Sequence, residues 1–187
     1  SLNINGGTVS VAESMNVEAD GKLVIDGGNF SVASTLFNKG DDSVEVNGDV
    51  VLNINKVDGK AIKVNDGTTV TDSKIGGQID IVSGESTWQG TNTVTGIFSA
   101  GYYNYGVGDI AVNITGKFNN SNMLLWGGDY TSVVSIGAAD AERTDFNGGQ
   151  IGTFANSVLN ITNADVDYSY MFLQGSANVS NSALNIV

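Results

Sequence analysis

No cysteine, proline or histidine occurs in this chain of 187 residues, and arginine occurs once, at Arg143. Without cysteine there is no disulfide, no thiol nucleophile and no Cys-type metal site. Without histidine there is no imidazole base and no Ser-His-Asp triad. These absences remove most hydrolase and zinc-enzyme readings. Basic residues are few: Lys and Arg together number 8 against 20 Asp and Glu, for a net charge of −12. A surface so acidic repels phosphate backbones and anionic lipid, so nucleic acid and anionic membranes are not expected partners. Apolar residues come in short runs, none near the ~18 needed to span a bilayer, so direct membrane insertion is not expected. A basic stretch followed by an apolar block and a small-residue cleavage site is also missing, so the chain is expected to follow a removed signal or to be a piece of something longer.

What is present is β-forming. Hydrophobic residues make up 41% of the chain and 25 residues are glycine, enough apolar material for a continuous core. Short alternating runs recur: Thr8-Val9-Ser10-Val11, Lys22-Leu23-Val24-Ile25, Asn29-Phe30-Ser31-Val32, Val44-Glu45-Val46 and Lys63-Val64. Each is closed by Gly, Asn or Asp, the residues that accept left-handed backbone angles at turns. No segment sustains a 3.6-residue apolar period, so little or no helix is expected.

Internal repetition sharpens this reading. An aliphatic-Asn-Ile element appears as Leu2-Asn3-Ile4, Leu52-Asn53-Ile54, Val112-Asn113-Ile114, Leu159-Asn160-Ile161 and Leu184-Asn185-Ile186, with Val134-Ser135-Ile136 as a weaker copy. From position 112 onward the copies lie roughly 22–25 residues apart, and the wider earlier gaps fit two turns each. Paired glycines at 6-7, 27-28, 76-77, 127-128 and 148-149 mark corners. A longer echo links Ser121-Asn122-Met123-Leu124-Leu125-Trp126-Gly127 with Ser169-Tyr170-Met171-Phe172-Leu173-Gln174-Gly175. The pattern predicts one all-β domain over residues 1–187. The expected form is a right-handed, single-stranded parallel β-helix (a solenoid) of about eight turns, with Leu and Ile pointing inward and stacking ~4.8 Å apart. A β-sandwich is the rival, and the turns Asp20-Gly21, Asn47-Gly48, Asp58-Gly59 and Asp66-Gly67 suit hairpins within residues 15–75.

The run Asp20-Gly21-Lys22-Leu23-Val24-Ile25-Asp26-Gly27-Gly28-Asn29-Phe30-Ser31-Val32, the Leu-Asn-Ile ladder and the abundance of Gly, Asn, Ser and Thr without Cys resemble autotransporter passenger domains and related bacterial surface adhesins. Similar texture also occurs in filamentous adhesins, phage tail spikes and polysaccharide lyases. The resemblance implies an exported module at the Gram-negative cell surface or released from it. It also implies that the translocating C-terminal β-barrel lies outside these residues, and a cysteine-free chain suits export through a pore in unfolded form. A structural or adhesive role follows, with host or bacterial surface glycan or protein as partner.

Candidate site residues fall in two groups. Tyr102, Tyr103 and Tyr105, ringed by glycines, form a loop suited to stacking on sugars or proteins, with Trp88, Trp126, Tyr130, Tyr168 and Tyr170 as additions to one face. The polar run Asp140, Glu142, Arg143 and Asp145 offers an acid pair with an orienting Arg, or simply a solvated loop. Binding is expected on loops 99–109 and 138–149. The enzymatic alternative is a polysaccharide lyase or glycosidase, but the lysines are dispersed and lie near no carboxylate group beyond Asp41-Asp42. Calcium nonapeptide and EF-hand patterns are absent, so no metal, cofactor or catalytic residue is expected. Glycosylation sequons at Asn29, Asn113, Asn119, Asn160 and Asn178 are chance matches in so Asn-rich a chain. Outward Asn and Thr rows would form a flat repetitive face, yet no regular Thr-x-Thr repeat marks it for ice. A third reading is a fibre segment, since neither terminus carries a polar cap and bare end turns invite end-to-end self-association.

Overall fold

The computed structural model describes residues 1–101 and 107–187, and these form a parallel β-solenoid of nine turns with no helix. Each turn is strand on its sides, continuous around the corners in Leu23–Asn38 and Val44–Gly59 and broken into shorter strands elsewhere, and each side pairs in parallel with its counterpart on the next turn. A first sheet joins Leu2–Ile4 to Leu23–Ile25 and ends at Tyr170–Leu173. Its inward column reads Ile4, Ile25, Val46, Val64, Ile81, Ala100, Leu125, Thr153 and Leu173, one residue per rung. A second sheet runs from Asp49 and Val50 through Thr68–Thr71 to Ser176–Ser180, and a third runs from Thr8–Val11 to Ala183–Ile186. Among the described residues, the one antiparallel contact is an isolated bridge between Gly101 and Leu125. Pleating explains the burial: successive side chains point to opposite faces, so Val112, Ile114, Val134, Ile136, Leu159 and Ile161 face inward while their neighbours face out.

Turn length varies along the chain. Stacked partners are 21 residues apart in the first rungs, as with Ser31 and Ser10, and 18 to 19 apart in the next ones. They are 26 to 28 apart where Thr93, Asn119 and Asn147 stack, and 18 apart again at Asn160 and Asn178. The N-terminal turns are therefore the regular ones, and the long periods belong to the middle. The extra residues there sit at corners, among them 127–131 and 138–143. The Asp-Gly and Asn-Gly pairs of residues 15–75 join parallel strands and make no hairpins. The reason is φ: glycine supplies a left-handed corner equally well in a parallel turn, as at Gly48 and Gly67. Nor do all Leu-Asn-Ile copies stack in one column. Leu2-Asn3-Ile4 lies in the first sheet, Val112, Val134 and Leu159 form one column of the second, and Leu52-Asn53-Ile54 and Leu184-Asn185-Ile186 share the register of the third. The interval from Leu52 to Val112 holds nearly three turns rather than two, since Val50, Val70, Trp88 and Ile114 are successive rung partners, and this raises the total from eight to nine.

The core changes character along the axis. Its N-terminal rungs are filled by Leu23, Ile25, Phe30, Val46, Leu52 and Ile54. In the middle, Trp88, Phe98 and Phe118 meet edge to face at centroid distances of 5.0, 5.8 and 5.3 Å, and Phe146 stacks on Phe118 at 5.6 Å. Where corners interrupt the strand ladder, side chains take over. Asp66, Asp72 and Asp109 each accept a backbone N–H from the next rung, from Glu85, Thr91 and Thr131. Buried Asn38 donates to the carbonyls of Lys60 and Ala61.

Candidate functional site

The outer face of the first sheet carries a recess in its C-terminal rungs. Three strands lie side by side there, and parallel register sets their outward residues in a grid. Asn122, Leu124 and Trp126 stand on one rung, Gln150, Gly152 and Phe154 on the next, and Tyr170, Phe172 and Gln174 on the last. Gly152 occupies the centre. With no side chain there, the surrounding residues enclose a groove of about 290 Å³ lined by Leu124, Gln150, Ile151, Phe154, Tyr170 and Phe172. Gly152 keeps an ordinary strand backbone. A Cβ placed on it would meet the tips of Leu124 at 3.0 Å and Phe154 at 3.2 Å, not backbone. The glycine is thus required by neither φ nor a main-chain clash, and its effect is to open the groove. Aromatic rings form one wall: Phe154 meets Phe172 at 5.5 Å, and Trp126 backs Phe154 in a stack at 5.5 Å. Tyr170 and Phe172 are 56% and 42% exposed, enough for both to meet a ligand.

The expected site residues are only partly assembled here. Trp126 stacks on the lining residue Phe154 but is not itself among the lining residues. Tyr170, expected as an addition to the aromatic face, lines the groove. Tyr130 is exposed on the 127–131 corner and is not among the lining residues. Trp88 is wholly buried in the aromatic core and cannot serve a surface. Tyr102, Tyr103 and Tyr105 lie outside the described residues. Leu124, Gly152, Phe154 and Phe172 were not singled out in the sequence. A signal existed: the echo between 121–127 and 169–175 puts Leu124 and Phe172 in one column, two rungs apart. The rung between them, Ile151-Gly152-Thr153, shares no sequence with either.

The polar run at 140–145 does not converge. Asp140 and Glu142 are exposed on the corner. Arg143 turns to the next rung, gripping Asp165 through Nε at 2.8 Å and Nη2 at 2.6 Å, and donates to the Asn181 carbonyl one rung further at 2.9 Å. It staples three rungs together. The hydrogen bond from Arg143 holds the Asp165 carboxyl below its usual range and raises the guanidinium. Asp145 faces Lys117 at 3.4 Å.

Lysines and acids do meet at the other end. Lys22 bonds Glu45 at 2.8 Å; Lys63 lies 3.0 Å from Asp42 and 3.7 Å from Glu45; Lys60 bonds Asp41 at 2.8 Å. Asp41, Asp42 and Lys63 border a shallow depression of about 280 Å³ with Val82 and Val107. Its hydrogen bond to Glu45 raises the Lys22 pKa, which keeps the ammonium charged and makes it a poor proton acceptor. These pairs bridge rungs and act as charge-matched staples. Among the described residues no cluster of three or more His, Cys, Asp or Glu is placed to hold a metal ion, and no helix is long and apolar enough to cross a membrane. No protein-family model, curated protein or solved structure matches the chain.

Proposed function

We propose that this chain is a non-catalytic adhesive module, a rigid β-solenoid that presents a binding surface outside the bacterial cell. The observation that supports the reading is the aromatic groove centred on Gly152. It is apolar, recessed and bordered by exposed rings, the composition of a contact surface. Chemistry has less support. Arg143, Lys22, Lys60 and Lys63 are each held in ion pairs between rungs, and an acid and base within reach of a shared substrate atom is the requirement of a lyase or glycosidase. The resemblance to autotransporter passengers agrees with an exported scaffold, and a partner at the groove would be a surface glycan or protein.

The test is direct. Gly152→Val fills the centre of the groove, and Phe172→Ala with Tyr170→Ala removes its rim. Binding of the purified chain to a glycan array and to host-cell monolayers is expected to fall at least tenfold in both variants, with circular dichroism unchanged. Full binding by both variants would remove the groove as the site. End-to-end self-association is a second reading. It draws on the exposed apolar side chains of Leu2 and Ile186, 46% and 77% accessible. Light scattering at high concentration tests it: a strict monomer argues against stacking.

A further inference from the structure

The second sheet presents an outer face unlike the other two. Six consecutive rungs carry it: Thr68–Thr71, Gly84–Gln89, Ile110–Ile114, Ser132–Ile136, Ser157–Thr162 and Ser176–Ser180. Register aligns their outward residues in columns. One column reads Thr69, Thr87, Asn113, Ser135, Asn160 and Asn178. Beside it, Glu85 is followed by a strip of small apolar groups, Ala111, Val133 and Val158. On the other flank stand Thr71, Gln89, Thr162 and Ser180.

Three properties of this face point the same way. First, it is neutral. Glu85 is its one ionisable side chain, in a chain of net charge −12, whereas the third sheet shows Lys117, Asp145, Asp165 and Asp167 outward and the first sheet shows Glu45 and Lys63. Second, it is long and regular. Rungs stack about 4.8 Å apart, so six of them extend roughly 24 Å along the axis. Third, its polar groups are held in place. Asn178 donates to Asn160 at 3.0 Å, Ser180 to Thr162 at 3.2 Å, Gln89 to Thr71 at 3.2 Å and Asn113 to Glu85 at 2.9 Å. An Asn amide has four hydrogen-bonding positions, so a side chain tied once to its neighbour retains capacity for a ligand while losing little further entropy on binding.

We propose that this face binds an extended, uncharged polysaccharide laid along the solenoid axis. Its hydroxyls would meet the Asn, Ser and Thr columns and its C–H faces the Ala111-Val133-Val158 strip. A hexose in an extended chain advances by about one rung, so each sugar would meet a similar set of groups. A charged polymer gains nothing here: the face offers no cation to an acidic polysaccharide, and the rest of the surface repels it. The proposal extends the adhesive reading to a second surface, and its outcome is separable from that of the groove.

The probes are insoluble cellulose, chitin and yeast mannan, with polygalacturonate as the acidic control, in sedimentation assays at low and high salt. The expected result is retention on at least one neutral polymer, little change between 50 mM and 500 mM salt, and no retention on polygalacturonate. Ser135→Glu and Asn160→Glu, tested separately, are each expected to reduce retention at least tenfold. Thr162→Lys gives an independent variant at the flank, and circular dichroism checks that each variant is folded. Lys117→Gln, on the outer face of the third sheet and outside both the groove and this face, is expected to leave retention intact. No retention on any neutral polymer would overturn the proposal. So would equal retention by the folded face variants, or loss of retention in Gly152→Val with the face variants unaffected. Ice-crystal shaping by the wild-type chain without polysaccharide retention would assign the face to ice instead.

Discussion

Replacing Phe118 with alanine tests the packing of the middle turns. The side chain is wholly buried and touches three other rings: Trp88 at 5.8 Å and Phe98 at 5.3 Å edge to face, and Phe146 at 5.6 Å in a stack. Truncating a buried Phe costs about 3–5 kcal/mol, through lost transfer energy and the cavity that neighbours fail to fill. The backbone here is pinned by ladders on both sides, with Phe118 registered between Asn92 and Phe146, so little collapse is open to it. The expected cost is therefore in the upper half, about 4–5 kcal/mol. For a domain of this size that is a fall in Tm of roughly 8–20 °C. Urea unfolding followed by fluorescence gives the cost, because Trp88 sits against the deleted ring and reports the cavity. Phe172→Ala is the control: its ring is exposed on the last rung and should cost less than about 1 kcal/mol. A Phe118→Ala cost below about 1.5 kcal/mol, or equal costs for the two variants, would refute the ring cluster as the centre of the core.

Thr153 is wholly buried between Leu125 and Leu173, and its Oγ1 has no hydrogen-bond partner among the described residues; Thr153→Val should stabilise the fold by about 1 kcal/mol in urea titration. Gly28→Ala should destabilise by more than about 2 kcal/mol, since Gly28 has φ +86° and a new Cβ would run into the Gly7 carbonyl. Gly67→Ala, at φ +74° in open space, should cost only about 1 kcal/mol, and thermal melts separate the two. Arg143→Gln should leave the N-terminal rungs unchanged and speed amide hydrogen exchange in 164–186, because it cuts the link to Asp165 and Asn181. The pH sign follows from Asp165. Its folded pKa lies below the ordinary 3.8, so the pair's contribution is present above that value and is lost as pH falls through the depressed one. Exchange protection of the last rungs should therefore drop below about pH 4 in the wild type and respond less in Arg143→Gln.

Alternation of apolar and polar residues is local, and it was readable wherever it ran for four residues. It identified Val112-Asn113-Ile114 and Leu159-Asn160-Ile161 as inward-outward-inward strands, and it marked Gly6-Gly7 and Gly27-Gly28 as stacked corners. What it lacked was register. A strand does not encode which of three sides it lies on, because that depends on how far each preceding corner rotates the chain. Leu2 and Leu184 look alike and lie in different sheets for that reason. The Asp-Gly corners misled in the same way: a positive φ at Gly48 or Gly67 suits a hairpin and a parallel turn alike.

The amino-acid sequence by itself determined the all-β solenoid, the absence of cysteine and histidine chemistry, and the acidic character of the surface. These depend on composition and on contacts between near neighbours. Tertiary structure alone decided the groove and the neutral face. Gly152 becomes the floor of a recess only because Leu124 and Phe172 stand on the rungs either side of it, 28 and 20 positions away in the sequence. Arg143 changes from a candidate site residue into a staple because stacking brings Asp165 beneath it. In a solenoid each surface is assembled from residues one turn apart, so its chemistry appears only once the register is set.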